Sequence, residues 1–166
     1  MRLLLVLILG VLSFNSFADK CKYTQEQQDV LHLAYSIGKD YDLGYTLAAI
    51  VKQESFVGDN IIRINNNDGK YGSYGVTHIN LETGMYFTGI TNSWQAKADL
   101  APALILDDEF AIEMGLKKLL SKQSLGWEKM VRSYNGSLKL VATKIYLDKV
   151  RNNVVTFQQC KQFNRR

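Results

Sequence analysis

Glu54 is the side chain in this sequence best suited to acid and base chemistry. Leu47, Ile50, Val51 and Glu54 recur at helical spacing, so the carboxyl falls on an apolar stripe close to the end of a helix. A carboxylate is costly to bury as an anion, so it must either find a partner or keep its proton. The partial negative charge at a helix C-terminus acts in the same direction. Cleavage of a glycosidic bond asks for that behaviour in its general acid, which is protonated before the bond breaks and able to accept a proton afterwards. Burial habits alone favour a solvated or salt-bridged glutamate at a helix end, so the weight of the assignment falls on its companions in the sequence.

Other residue types fit chemistry less well. The only histidines are His32 and His78, and neither has ligand spacing with Cys21 or Cys160, so a metal site is not expected. Gly69, Gly72 and Gly75 lack the strand, turn and helix of a phosphate loop and read as turn glycines. Asp59 and Asp68 lie among turn residues and read as turn formers. Asn135, Gly136 and Ser137 form a formal glycosylation sequon. Trp94 and Trp127 are assigned to packing rather than to a site. Lys117, Lys118 and Lys122 read as a solvated helix face, and no interleaving of basic and aromatic residues points to nucleic acid.

The elements that must position Glu54 can be read from periodicity. Thr24 followed by Gln27 is a capping box, opening a helix that carries Val30, Leu31, Ala34 and Ile37 to Gly38. The helix of Glu54 begins near Tyr45 and ends before Gly58. Residues 59–80, with the turn sequence Asn65-Asn66-Asn67-Asp68-Gly69, read as a loop with short strands. Helical spacing is weak over residues 81–87 and strong over 107–120, where acidic residues open the helix and Lys117 and Lys118 close it. Two more helices are expected over residues 126–134 and 138–150. The fold class is therefore mainly α, as one helical domain with a glycine-rich loop or small β excursion after the helix of Glu54.

The ends of the chain suggest export. Of 166 residues, 46% are hydrophobic and 22% charged, an ordinary globular balance. Residues 1–18 combine Arg2, an apolar run from Leu3 to Leu12 and the small residues Ser16 and Ala18, the pattern of a secretory signal peptide. The domain is expected over residues 19–166, periplasmic or secreted, with no integral membrane segment. Loss of Arg2 lowers the formal charge from +4 to +3, a mild excess compatible with an anionic wall polymer. Lipidation of Cys21 is disfavoured by Lys20 before it. Cys21 and Cys160 are expected to pair, and closing so long a loop adds about 4 to 5 kcal/mol on the chain-entropy model.

Three stretches together resemble the soluble lytic transglycosylase family, which is lysozyme-like and related in fold to goose-type lysozyme. They are Ile50-Val51-Lys52-Gln53-Glu54-Ser55, then Gly72-Ser73-Tyr74-Gly75-Val76-Thr77-His78-Ile79-Asn80, then Ser133-Tyr134-Asn135-Gly136. They look like the family's glutamate-serine, glycine-leucine-methionine-glutamine and alanine-tyrosine-asparagine motifs, in the same order. Residues 107–115 resemble its helix start with a later glycine, and residues 146–150 its closing helix.

The resemblance implies an α+β lysozyme-like fold and Glu54 as catalytic acid and base, without metal or cofactor. It implies that Ser55 places an acetamido or lactyl group, that Tyr134 hydrogen-bonds near Glu54, and that Asn135 supports the sugar. The backbone of Gly75, Val76, Thr77 and His78 would line the groove. The partner implied is the glycan strand of peptidoglycan, cut between N-acetylmuramic acid and N-acetylglucosamine to leave a 1,6-anhydro product. Thr77-His78 replaces the family's methionine-glutamine, so a histidine stands where an amide normally contacts the sugar. Two alternatives share the scaffold: a hydrolase holding water at Asp59, Asp68 or Asn135, and an inert wall-binding module of an envelope secretion or conjugation apparatus.

Overall fold

The computed structural model describes residues 21–64 and 72–160. The expected signal peptide, Asp68 and Gly69 lie outside the described residues. Among those described are seven α-helices and one small sheet. The helices are α1 (Gln25–Gly38), α2 (Gly44–Ser55), α3 (Leu81–Thr88), α4 (Trp94–Leu106), α5 (Asp108–Leu120), α6 (Trp127–Asn135) and α7 (Val141–Gln159). The strands are β1 (Ile62–Ile64), β2 (Gly72–Tyr74) and β3 (Ile79–Asn80). The fold is mainly α with an α+β excursion after the helix that carries Glu54.

Helix α2 is central. Thr46, Leu47, Ala48, Ala49, Ile50 and Val51 are all buried, so its middle is apolar nearly all round. It packs on α1, α5 and α7. Burial on every side suits a helix rich in alanine, because small side chains let its neighbours approach. Around it, Leu31, Leu104, Ile112, Leu119, Val131, Val150 and Phe157 complete one core.

Local chemistry starts the helices as the sequence suggests. Thr24 and Gln27 form the reciprocal capping box of α1. Asn80, Ser93 and Asp107 accept from the backbone amides of Thr83, Ala96 and Phe110 at 2.7, 3.1 and 2.9 Å. Cys21 and Cys160 form a disulfide that ties the segment before α1 to the end of α7.

Two elements depart from the periodicity reading. Helix α4 was not expected, because Ala96, Ala98, Leu100, Ala101, Ala103 and Leu104 draw no clean stripe and Pro102 interrupts them. Tertiary packing decides instead: Leu100 and Leu104 are buried, and Pro102 costs the carbonyl of Ala98 its helical partner. Helix α7 runs to Gln159 rather than stopping near Val150. Asn152 and Asn153 are weak helix formers, but Val154 and the fully buried Phe157 continue the apolar spacing beyond them.

The sheet is antiparallel in the order β1-β2-β3. Its register places Arg63 opposite Ser73, and Ser73 opposite Asn80. Three polar side chains therefore stand in one row across one face.

The turn between β2 and β3 requires glycine at Gly75. Its φ is +74°, and a Cβ there would collide with the carbonyl oxygen of Leu104 and lie 2.8 Å from the Cβ of Ala111. Gly89 has a similar φ of +70° with nothing within 4 Å of a Cβ. Left-handed backbone costs a non-glycine residue about 1–2 kcal/mol, and overpacking adds about 1–3 kcal/mol. Gly75→Ala should therefore lose about 2–5 kcal/mol in urea unfolding, and Gly89→Ala about 1–2 kcal/mol. Equal losses at the two positions would refute this account of the turn.

Candidate active site

Helix α2 delivers Glu54 one residue before its end. Phe56 and Val57 then take left-handed φ values of 54° and 62°, turning the chain sharply out of the helix. Ser55 secures this exit, with its hydroxyl donating to the carbonyl of Val51 at 3.1 Å and accepting from the amide of Gly58 at 2.9 Å. Ser55 is fully buried, so its hydroxyl is spent on the turn and does not face the cleft.

The side chain of Glu54 is 7% exposed, and its carboxyl has two neighbours. Tyr146, from α7, donates its hydroxyl to Oε1 at 2.6 Å. His78 brings Nδ1 to 3.3 Å from Oε2, and its other ring nitrogen lies 2.7 Å from the carbonyl oxygen of Asn60. Burial, then the charge of Glu54, hold the Tyr146 hydroxyl well above its ordinary pKa, so it stays protonated as a donor.

Around this carboxyl lies a cleft of about 380 Å³ lined by Arg63, Ser73, His78, Asn80, Lys118, Ser133, Tyr134 and Asn135. The polar row of the sheet supplies one wall, and the end of α6 supplies the other. A second hollow of about 250 Å³ shares Glu54, Arg63 and Asn135 and continues toward Ile145 and Lys149. A third, of about 480 Å³, shares Asn80, Lys118 and Ser133 and continues toward Tyr86 and Lys122. Through these shared residues the three adjoin as one groove, with Glu54 where the first two meet.

The residues singled out from the sequence do not all reach this groove. Glu54, His78, Tyr134 and Asn135 line it. Val76 and Thr77 are buried beneath it, and only His78 of residues 75–78 reaches its surface. Thr77 donates to the carbonyl of Ala111 at 2.5 Å, and Gly115 makes room for it: a Cβ there would come within 2.8 Å of Thr77 Cγ2. Tyr134 does not bond to Glu54. Its hydroxyl donates to the carbonyl of Thr77 at 2.8 Å, and Tyr146 holds the carboxyl instead. Asp59 accepts from Gln27 at 3.3 Å and does not line the groove.

Three lining residues were missed or misread. Tyr146 had been seen only as part of a closing helix, and no pattern marks a tyrosine that reaches 92 residues back in the chain. Arg63 sits in a three-residue strand too short to show alternation. Lys118 is not on a solvated face, although Lys117 is exposed. Its ammonium lies 4.0 Å from the ring centroid of Tyr134, and burial lowers its pKa against the opposing pull of Glu54. The helix dipole explains lysines at the end of α5, but which one turns inward depends on tertiary packing.

Among the described residues no three His, Cys, Asp or Glu side chains gather as a metal centre would require. The groups at the site able to give or take a proton are the Glu54 carboxyl and the His78 ring, with the Tyr146 hydroxyl beside them. Truncating Tyr146 to phenylalanine would strip a buried carboxyl of its donor, at about 1.5–3 kcal/mol for a charge-assisted bond. In urea unfolding, Tyr146→Phe should lose that amount alone and markedly less in a Glu54→Leu background. Additive losses would show that the two side chains are not coupled. Comparison with known protein families, curated proteins and solved structures finds no match to this chain.

Proposed function

We propose that this chain is a peptidoglycan lytic transglycosylase, cleaving the β-1,4 bond between N-acetylmuramic acid and N-acetylglucosamine. The observation that carries the reading is the lone buried carboxyl at the middle of a polar groove. Of the acidic side chains lining the three joined hollows, only Glu54 lies near the centre, and Glu82 lies toward one end. Most glycosidases face two carboxylates across the scissile bond. A single one suffices when the substrate brings its own nucleophile.

The steps then balance around one proton. Glu54 protonates the bridging oxygen, and the N-acetylglucosamine side leaves with a free 4-hydroxyl. The muramyl acetamido oxygen bonds to the anomeric carbon as that bond breaks. Glu54, now a carboxylate, takes the proton of the muramyl 6-hydroxyl, whose oxygen displaces the acetamido group. The product is a 1,6-anhydro ring, formed without water, and the acid is regenerated.

The remaining lining residues suit the same polymer. Ser73, Asn80, Ser133 and Asn135 offer partners for sugar hydroxyls and amides. Arg63 and Lys118 are cations beside Glu54 that favour the lactyl and peptide carboxylates of the muramyl unit. The disulfide supports export to a periplasmic or extracellular setting, where such bonds persist and the substrate is found. An envelope secretion or conjugation assembly is the partner class consistent with a small exported enzyme that opens the wall locally.

Digestion of purified peptidoglycan with mass analysis of the fragments tests this. The expected products carry anhydromuramyl ends, and Glu54→Gln should reduce their formation by about 10²–10⁴-fold. Fragments heavier by one water would identify a hydrolase. No cleavage by the parent protein would leave an inert wall-binding module.

A further inference from the structure

His78 occupies an unusual place: a non-glycine residue with φ of 50°, 6% exposed, directly beside the candidate acid. The roles of its two nitrogens follow by elimination. A backbone carbonyl can only accept, so the nitrogen 2.7 Å from the carbonyl of Asn60 carries a hydrogen. A neutral ring then has a bare lone pair at Nδ1. That atom is buried, forms no hydrogen bond to any described residue, and faces Oε2 of Glu54 at 3.3 Å. A lone pair against a carboxylate oxygen is repulsive, so a proton must stand between them.

We propose that Glu54 and His78 hold one proton in common, with the carbonyl of Asn60 fixing the histidine so that it can be held nowhere else in the ring. The proton resides either on Oε2 with a neutral imidazole or on Nδ1 with a carboxylate. Either arrangement removes the repulsion that the pair would have with no proton. His78 is thus a positioning residue that keeps Glu54 supplied. When the proton passes to the bridging oxygen, the pair is left without one and accepts the next from the muramyl 6-hydroxyl, so each turnover restores it. This consequence for turnover rests on the function proposed above; the shared proton itself does not.

The other charged or titratable groups around the pair leave it as the place where the proton is held. Tyr146 from α7 is a committed donor to Oε1. Tyr134 from α6 is kept protonated by burial and donates elsewhere. Lys118 from α5 and Arg63 from β1 line the same cleft as cations, and neither can accept the proton in that form.

Imidazole and carboxyl NMR on the intact protein tests the sharing without substrate, and the sequence contains only two histidines to resolve. The expected spectrum shows neutral His78 carrying hydrogen on Nε2 alone, with ring and Glu54 carboxyl signals changing together across one pH range. A hydrogen on Nδ1 of the neutral ring, or two independent titrations, would overturn the proposal. In activity, His78→Gln substitutes an amide that donates to the carboxylate and carries no exchangeable charge. The alkaline limb of its pH–rate profile should move, whereas a purely structural role would lower the rate without moving the limb. A parent protein that shows the coupled titration but leaves peptidoglycan intact would refute the enzymatic reading and leave the shared proton standing.

Discussion

A glutamate whose side chain is 7% exposed cannot be left without partners, and the surroundings of Glu54 are built to meet that requirement. Tyr146 comes from the last helix, His78 from the turn between strands, and Asn60 from the loop that leaves the helix of Glu54 itself. The site therefore closes on itself: the chain exits α2, runs through Asn60, and places a carbonyl behind the histidine that faces the glutamate six residues earlier. Displacing any of these segments by an ångström would leave a buried polar atom unpaired.

The arrangement also explains where the backbone departs from easy conformations. Phe56, Val57 and His78 all have left-handed φ, and all belong to the exit loop or to the turn that answers it. For a β-branched residue such as Val57 this is a rare state. Burial of its side chain and the hydrogen bonds of Ser55 offset the strain. Unstrained residues continuing α2 would carry the chain away from the cleft, and the carbonyl of Asn60 with it.

Much of this was legible in the sequence, and what was not has a common cause. Capping boxes, apolar stripes and turn glycines act over a few residues, so the starts of α1 and α5, the end of α2 and the place of Glu54 on that helix could be read directly. The paired cysteines were legible because two cysteines allow a single pairing within the chain. Ser55 was misplaced because a motif gives a residue's neighbours, not the direction of its hydroxyl. Tyr146, Arg63 and Lys118 were invisible as cleft residues because their roles depend on which face a helix or strand presents after packing. Helix α4 was hidden for the opposite reason: its apolar residues are spread so evenly that no face stands out until Leu100 and Leu104 are buried.

The departure at Thr77-His78 gains a physical meaning in this setting. Thr77 is drawn into the core, where its hydroxyl meets the carbonyl of Ala111 and its own carbonyl takes the hydroxyl of Tyr134. Both bonds hold the backbone immediately before His78, and the close approach they need is granted by Gly115. An amide at position 78 would offer a fixed donor and acceptor. An imidazole in that place can take up and release a proton beside the carboxyl of Glu54. Thr77 and His78 thus tie the turn between β2 and β3 to the core on one side and to Glu54 on the other.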